Sequence, residues 1–392
     1  MTPPRVLVVH NLYRERGGEE RAVELQLEAL GRAGVECRSL VRDSAALARG
    51  RAGMALLRGG EEPGEVARAV RDFEAGVVHV HNMHPLFGPR ALAAAKGAGA
   101  GVVLHLHNYR LFCSIAVAFR DGQTCFRCRG RLTVPGLALN CRGSLPESAA
   151  YATALALHQP AVLGAVDRFV APSRAAAEQL ARLGVPAERL VAIPNYLPDG
   201  WLTERSRAAG GDYALFAGRL APEKGTHVAI AAAKRAGVPL KVAGDGPDAG
   251  ALLRQAAAAP DTGPSRRQAA GAPVEMLGRV STVALRGLLA GAAMVVAPSL
   301  WAEVLPYSVL EAMGAGVPVI ASRSGGLVEL VGEDHCVERG DVGALADAMA
   351  RLWADPELRR AEGDRLLTRA RERFGEAGYT RDLLRVYEEV GG

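Results

Sequence analysis

The chain predicts an α/β protein built from two doubly wound parallel sheets, and three observations carry that prediction. Short apolar runs alternate with helical patterns, the alternation comes in two series, and a turn-rich stretch separates them. The length of 392 residues agrees, because a single ordinary core does not grow that large.

The first series opens with RVLVVH at 5 and continues with GVVHVH at 76, GVVLHLH at 101 and DRFVAPS at 167. Continuous apolar runs of this length suit strands covered on both faces. GGEERAVELQLEALGRAG, from Gly17 to Gly34, has apolar residues at helical spacing and glycine at both ends, so it predicts the first crossover helix. NYLPDGWLTERSRAAGGD then supplies a linker near 196–212. A second series follows: YALFAG at 213, LKVAG at 240, VEML at 274, AMVVAPS at 293 and VPVIAS at 317. APDTGPSRRQAAGAP, at 259–273, reads as a surface loop. After Asp341 come three helical patterns and no strand-like run. The expected domains are 1–196, with an insertion at 108–145, and 197–375, while a helix at 376–392 is placed back against the first domain. Strand ends and their following loops should meet a ligand in the cleft between the two sheets.

Bulk properties narrow the function classes. With 49% hydrophobic and 23% charged residues, the chain reads as globular, without a long disordered block. Its net charge of +5 comes from 43 Arg and 4 Lys spread along the sequence without aromatic interleaving, which argues against nucleic-acid binding. A weak peripheral attraction to anionic lipid or substrate stays open. MTPPRVLVVH enters a strand-like run with neither a charged leader nor a small-residue cleavage site, and GLLAGAAMVVAPSLWAEVL is broken by Pro298 and Glu303. The expectation is a cytoplasmic protein without a transmembrane segment. Six cysteines are too few for a dense disulfide framework.

The most informative stretch is WAEVLPYSVLEAMGAGVPVIAS. Pro306 suits a first helical position, which puts Glu303 in the preceding loop and Glu311 in the second turn. Both acids then flank a helix N-terminus. That terminus favours phosphate, while carboxylates repel it and bind hydroxyls, so the pair points to a ligand carrying both diphosphate and hydroxyls. FAGRLAPEKGTHVAI places Arg219 and Lys224 between a strand and a helix, where they could hold phosphate oxygens and offset a leaving group's charge. VAGDGP marks a similar turn at the same sheet end. In SRSGG, Ser324, Gly325 and Gly326 could turn consecutive N–H groups toward a diphosphate or sugar hydroxyls, and Gly17 and Gly18 allow close backbone approach at the first helix.

In the first domain His107 stands nearest a strand's C-terminal end and is the candidate there to hydrogen-bond a donor sugar or diphosphate. His79, His81 and His84 are expected to line a core or cleft, since His79 and His81 share a strand face without carboxylate partners nearby. Cys113, Cys125, Cys128 and Cys141 have spacing that suits a four-thiolate zinc staple for an irregular insertion. Disulfides, free thiols and an iron–sulfur cluster remain alternatives.

GGEE, HNYRLFC, GRLAPEKG, VAGDGP, the ExxxxxxxE pair with GVPVIAS, and SGG occur in an order that resembles the retaining group 1 glycosyltransferases, also called glycosyltransferase family four. The resemblance covers nearly the whole chain. It implies a GT-B fold of two Rossmann-like domains and sugar transfer from a nucleotide diphosphate sugar to an acceptor hydroxyl, with retained anomeric configuration and no catalytic metal. No DxD occurs in the sequence. By the same resemblance Arg219 and Lys224 bind the diphosphate, Glu311 the ribose diol and Glu303 the transferred sugar. Leu305, Pro306, Ser324, Gly325 and Gly326 are further donor-binding positions; Gly17 and Gly18 close near the phosphates, and His107 lies near the reacting sugar. VLPY stands where many relatives have a glycine, and IPNYLPD replaces a more usual asparagine–glycine turn and leaves Asn195 without a role. A sugar-nucleotide epimerase, a pyridoxal-dependent phosphorylase and a non-catalytic binding protein are the competing readings on this fold. Base, sugar, acceptor and oligomeric state are not legible.

Overall fold

The computed structural model describes residues 3–13, 17–45, 47–258 and 273–391, so the loop expected at 259–273 lies almost wholly outside the described residues. The chain runs β1 (Val6–Leu12), α1 (Gly18–Arg32), β2 (Cys37–Asp43), α2 (Arg49–Leu57), α3 (Pro63–Phe73), β3 (Val77–Val80), α4 (Gly88–Gly97), β4 (Gly101–His105), β5 (Phe119–Arg120), β6 (Gln123–Thr124), α5 (Val134–Ala138), α6 (Leu145–Ala165), β7 (Arg168–Ala171), α7 (Arg174–Leu183) and β8 (Leu190–Ala192). It continues with β9 (Tyr213–Ala217), α8 (Thr226–Ala236), β10 (Leu240–Ala243), α9 (Ala249–Ala257), β11 (Val274–Gly278), α10 (Thr282–Ala290), β12 (Ala292–Ala297), α11 (Tyr307–Gly314), β13 (Val319–Ser322), α12 (Gly326–Val331), β14 (Cys336–Val337), α13 (Val342–Ala354), α14 (Pro356–Arg373) and α15 (Glu376–Val390). Two compact units result: 1–120 with 125–194 and 377–392, and 121–124 with 195–376.

The first unit holds a parallel sheet ordered β2-β1-β3-β4-β7-β8. Val6, Leu7, Val8 and Val9 of its second strand are at most 2% exposed, as the apolar run requires. β2 and β8 were not among the expected strands. β2, CRSLVRD, is an edge strand whose residues are half-buried or exposed, so it has no continuous apolar run, and β8 is only three residues long. Helix α15 belongs to this unit: Tyr379 and Tyr387 meet Gln26 at 2.9 and 3.2 Å, and Arg168 pairs with Glu389 at 2.9 Å. The irregular stretch between β4 and α6 contains only a two-stranded hairpin and one five-residue helix.

The second unit holds a parallel sheet ordered β11-β10-β9-β12-β13-β14. Leu215, Val295 and Val319 from the sheet pack with Leu310, Met313, Leu327, Leu330 and Leu366 from the helices in one core. A Leu→Ala change at a site as buried as Leu310 costs about 2–5 kcal/mol, because the cavity cannot fully close. β14, two residues long, was also missed by the apolar-run reading. Asp341 and Asp355 cap α13 and α14 by accepting from Ala344 N and Leu358 N, each worth about 1 kcal/mol. Pro306 is corrected by one position: its ψ of 129° makes it the cap of α11, and Tyr307 is the first helical residue. No helix among the described residues is long and apolar enough to cross a membrane.

Candidate active site

In the second sheet the strand order reverses direction between β9 and β12, a switch point where loops on the carboxyl edge diverge and leave room for a ligand. Arg219 and Lys224 stand on the loop after β9, and Glu303 on the loop after β12. Glu303 is 2% exposed, and its Oε1 accepts from Lys224 Nζ and from Ser299 Oγ, each at 2.6 Å. Lys224 Nζ also lies 5.2 Å from the Trp301 ring centroid, on the face that attracts cations. Arg219 pairs with Glu223, a buried side chain, while its own guanidinium is half exposed. Leu300 N–H donates to the Glu223 carbonyl at 2.8 Å, tying the two loops together.

Each expected cation therefore already has a carboxylate. Sequence reasoning missed Glu223 and Ser299 although both stand in quoted or adjoining motifs, because nothing in those motifs says which side chain turns inward. Gly225, at the start of α8, has φ +68°, and a Cβ there would come within 2.0 Å of the Pro298 carbonyl, so glycine lets the β9 loop pack against the β12 loop.

The loop from 299 to 306 is held from several sides. Gly326 N–H donates to the Glu303 carbonyl at 2.8 Å, Asn195 Nδ2 donates to the Leu305 carbonyl at 3.0 Å, and Ser324 Oγ donates to the Trp301 carbonyl. Gly325 has φ +50°, and a Cβ there would meet the Glu303 carbonyl at 2.1 Å. One detail of the SGG expectation is thereby corrected. Gly326 N–H is committed inside the protein, and with the Ser324 hydroxyl it fixes the acidic loop. Asn195 acquires a role as a brace. The Leu305 side chain is buried, and Glu311 is half-buried on the second turn of α11.

In the first unit the reversal falls between β1 and β3. Gly17 and Gly18 are exposed at the start of α1, where Gly17 N–H donates to Glu20 Oε2 at 2.7 Å. Half-buried His107 follows β4, with Nε2 2.7 Å from His81 Nδ1 and its ring stacked 4.0 Å from that of His105. Burial, together with His105, His10 and His79, holds its pKa well below the ordinary histidine range, so the imidazole is neutral. Asn108 Nδ2 reaches Glu19 Oε2 and Tyr13 Oη at 3.2 Å each, and the Arg110 guanidinium lies 5.4 Å from the Tyr13 ring. Burial raises Glu19 to about 7. Glu19, Asn108 and Arg110 were overlooked within GGEE and HNYR.

All four insertion cysteines line one cavity of about 20 Å³ with Tyr109, Phe112 and Phe126. They are free thiols, and burial raises Cys128 to about 11. Among the described residues the metal-ligating side chains gathered within 4.8 Å of one another are His79, His81 and His105, and not these cysteines.

Comparison with known proteins follows the same division of the chain. Residues 13–196 match the family described as glycosyl transferase 4-like domain, and residues 211–355 match glycosyl transferases group 1. An exopolysaccharide phosphotransferase of Streptomyces coelicolor is 33% identical over 192 residues, which is 47% of this chain and 19% of that protein. An MMP alpha-(1->4)-mannosyltransferase of Mycolicibacterium hassiacum is 36% identical over 115 residues, 28% of each. The chain thus spans less than a third of either curated relative. Among solved structures, Anabaena HepE in complex with UDP and glucose superimposes with a TM-score of 0.67 at 16% identity, over 98% of this chain and 100% of that one. Sucrose-phosphate synthase from Thermosynechococcus elongatus gives 0.67 at 17%, over 98% and 99%. The two six-stranded parallel sheets are those of the GT-B fold.

Proposed function

We propose that this chain, which belongs to the GT-B glycosyltransferases, moves a sugar from a nucleotide diphosphate sugar to an acceptor hydroxyl, with retention of anomeric configuration and without a catalytic metal. The observation that carries this reading is the meeting of Arg219, Lys224 and Glu303 at the switch point of the second sheet, with Glu311 on the helix that follows. HepE, which shares the fold, is solved with UDP and with UDP-glucose, and this supports a donor of that class.

Without donor, Lys224 neutralises Glu303, and Arg219 neutralises Glu223. An arriving diphosphate brings its own negative charge and competes for both cations. Lys224 moves its contact to the phosphate, and Glu303 takes up sugar hydroxyls in exchange, so the buried carboxylate keeps a hydrogen-bonding partner throughout. Glu311 takes the ribose diol. As the glycosyl–oxygen bond breaks, charge grows on the diphosphate, where Arg219 and Lys224 stabilise it. His107, neutral and bonded through Nε2, has Nδ1 left to meet the sugar or phosphate. The departing diphosphate takes the acceptor's proton on the face where it leaves, which gives retention.

The cysteine insertion has an architectural part in this reading. Zinc would hold the four cysteines that line one cavity as thiolates, which requires drawing together sulfurs that do not gather within 4.8 Å.

Donor hydrolysis measured across UDP-, GDP-, ADP- and dTDP-sugars tests the proposal. Lys224→Ala should lower turnover with the preferred donor about 10²–10³-fold, and Glu311→Ala should chiefly raise KM. Unchanged turnover in both variants would sink the site assignment, and an inverted product would sink the stereochemistry.

A further inference from the structure

His10 ends the apolar part of β1, His79 and His81 lie on and just beyond β3, and His105 ends β4. The parallel register pairs Val80 with both Val9 and Leu104. Continuing it by one residue sets His10, His81 and His105 in a row across the sheet, and His79 shares their face. His79, His81 and His105 are 0%, 3% and 2% exposed, and one ring nitrogen from each lies within 4.8 Å of the others.

What these rings lack is more telling than what they touch. His79 uses Nδ1 against Tyr387 Oη, and His81 uses Nδ1 against His107 Nε2, both at 2.7 Å. The Nε2 atoms of His79 and His81, and both nitrogens of His105, are buried without a hydrogen-bond partner. No choice of tautomer cures this. If Nδ1 accepts, an N–H is orphaned at Nε2; if Nδ1 donates, a lone pair is orphaned there. Buried polar atoms are normally satisfied, so several unpartnered nitrogens gathered on one sheet face call for a partner.

The two Nδ1 contacts favour a particular guest. Metal-bound histidines hydrogen-bond through the nitrogen that does not ligate, which fixes ring and tautomer together. With an ion bound, Tyr387 Oη accepts from His79 Nδ1–H in addition to Gln26 Nε2, and His107 Nε2 accepts from His81 Nδ1–H, leaving two Nε2 lone pairs and one from His105 to meet the cation. Residues two apart on one strand plus one on the next present such a triad from a single sheet face. We infer that His79, His81 and His105 form a buried three-histidine site for a divalent zinc-class ion in the first unit.

Imidazole-only ligation suits zinc among the common cellular ions. The rings stand stacked, His79 against His81 at 15° and His81 against His105 at 20°, so an ion bound at about 2.0–2.1 Å requires them to turn about χ until their nitrogens converge at about 3.3 Å from one another. Glu20 adds nearby negative charge, 3.8 Å from His10 Nε2; burial opposes its ionisation, but the adjacent His10 ring and backbone hydrogen bonds from Gly17 and Tyr13 hold it below the usual carboxyl range. With the ion in place His81 must donate to His107, so His107 carries its own proton on Nδ1. The inference does not depend on sugar transfer.

Metal content of untagged full-length protein, stripped with chelator and reloaded with zinc or cobalt, tests it. His105→Leu removes no hydrogen bond, so it should fold like the parent by circular dichroism and bind one equivalent less. Cys125→Ser with Cys128→Ser should keep that equivalent. The cobalt difference spectrum of parent minus His105→Leu should show ligand-field bands without thiolate charge transfer; this comparison needs no cysteine variant. If His105→Leu destabilises the fold, His105→Asn is read in the same way. Equal metal content in parent and His105 variants, or a difference spectrum dominated by thiolate bands, overturns the site.

Discussion

At the switch point of the first sheet stand imidazoles, His10, His81 and His105 in a row with His79 and His107 beside them; at the switch point of the second stand Lys224 with Glu303 and Arg219 with Glu223. The backbones are alike, with six parallel strands and loops opening at the same edge. The electrostatics are not. One edge is dominated by His79, His81, His105 and His107, which burial keeps neutral, with Glu19, Glu20 and Arg110 at its margin. The other is charged throughout and neutral only in sum. An architecture of parallel strands therefore fixes where chemistry can occur and leaves its sign to the side chains.

Acid should separate the two edges most strongly. His84 and His105 are held at about 3 against an ordinary 6.5, principally by burial. A depressed base stabilises the fold above its unfolded pKa and loses that contribution as pH falls through the folded value. The first unit should thus weaken from about pH 6.5 toward 3, by up to ~5 kcal/mol for each of these two groups in metal-free protein. The chain's three tryptophans, Trp201, Trp301 and Trp353, all lie in the second unit. Helical circular dichroism should fall before tryptophan emission shifts, and coincident transitions would erase the contrast.

A smaller effect probes the charged edge. Lys224→Met leaves Glu303 buried without its cation, a loss of about 3–5 kcal/mol read by urea unfolding through tryptophan emission. Lys224→Met with Glu303→Met should recover most of it. A double variant no more stable than the single would show that the pair is not the unit that matters.

The smallest effect sharpens the boundary of the neutral edge. Burial raises Glu19 from 4.5 to about 7, so its ionisation opposes folding: no penalty exists below pH 4.5, and the full penalty applies above 7. Glu19→Gln should stabilise the protein by up to about 3 kcal/mol at pH 8 and by little at pH 5, measured as the difference in chemical unfolding at the two values. A gain independent of pH would assign the effect to something other than this carboxyl.

Legibility followed burial. Strands covered on both faces announced themselves as apolar runs, as did the half-exposed edge strand β11 through VEML, whereas β2, half-exposed at an edge, and β8 and β14, three and two residues long, did not. Charged candidates were visible as residue types in ordered motifs. Their pairing was not, because Lys224 reaches a residue 79 positions away and only the folded loops bring it there. The histidines show the same limit. HVH and HLH are readable as alternations, but strand register makes His81 and His105 neighbours, and register is a property of two strands. The expectation that His79 and His81 simply line a core overlooked the third ring that β4 supplies.

Helix α15 has a further consequence, for the order of assembly. Its Tyr387 supplies the hydroxyl that His79 meets, and residues 377–392 group with a unit whose other residues all precede 195. On a ribosome the second unit has every residue it needs once 376 has emerged, while the first, though begun earlier, waits for its closing helix. Until then the neutral edge lacks Tyr387, and the histidine cluster can exchange with water and with ions. Synthesis thus leaves a window, closed when α15 packs, in which a cluster later sealed at a few per cent exposure stands open to solvent and ions.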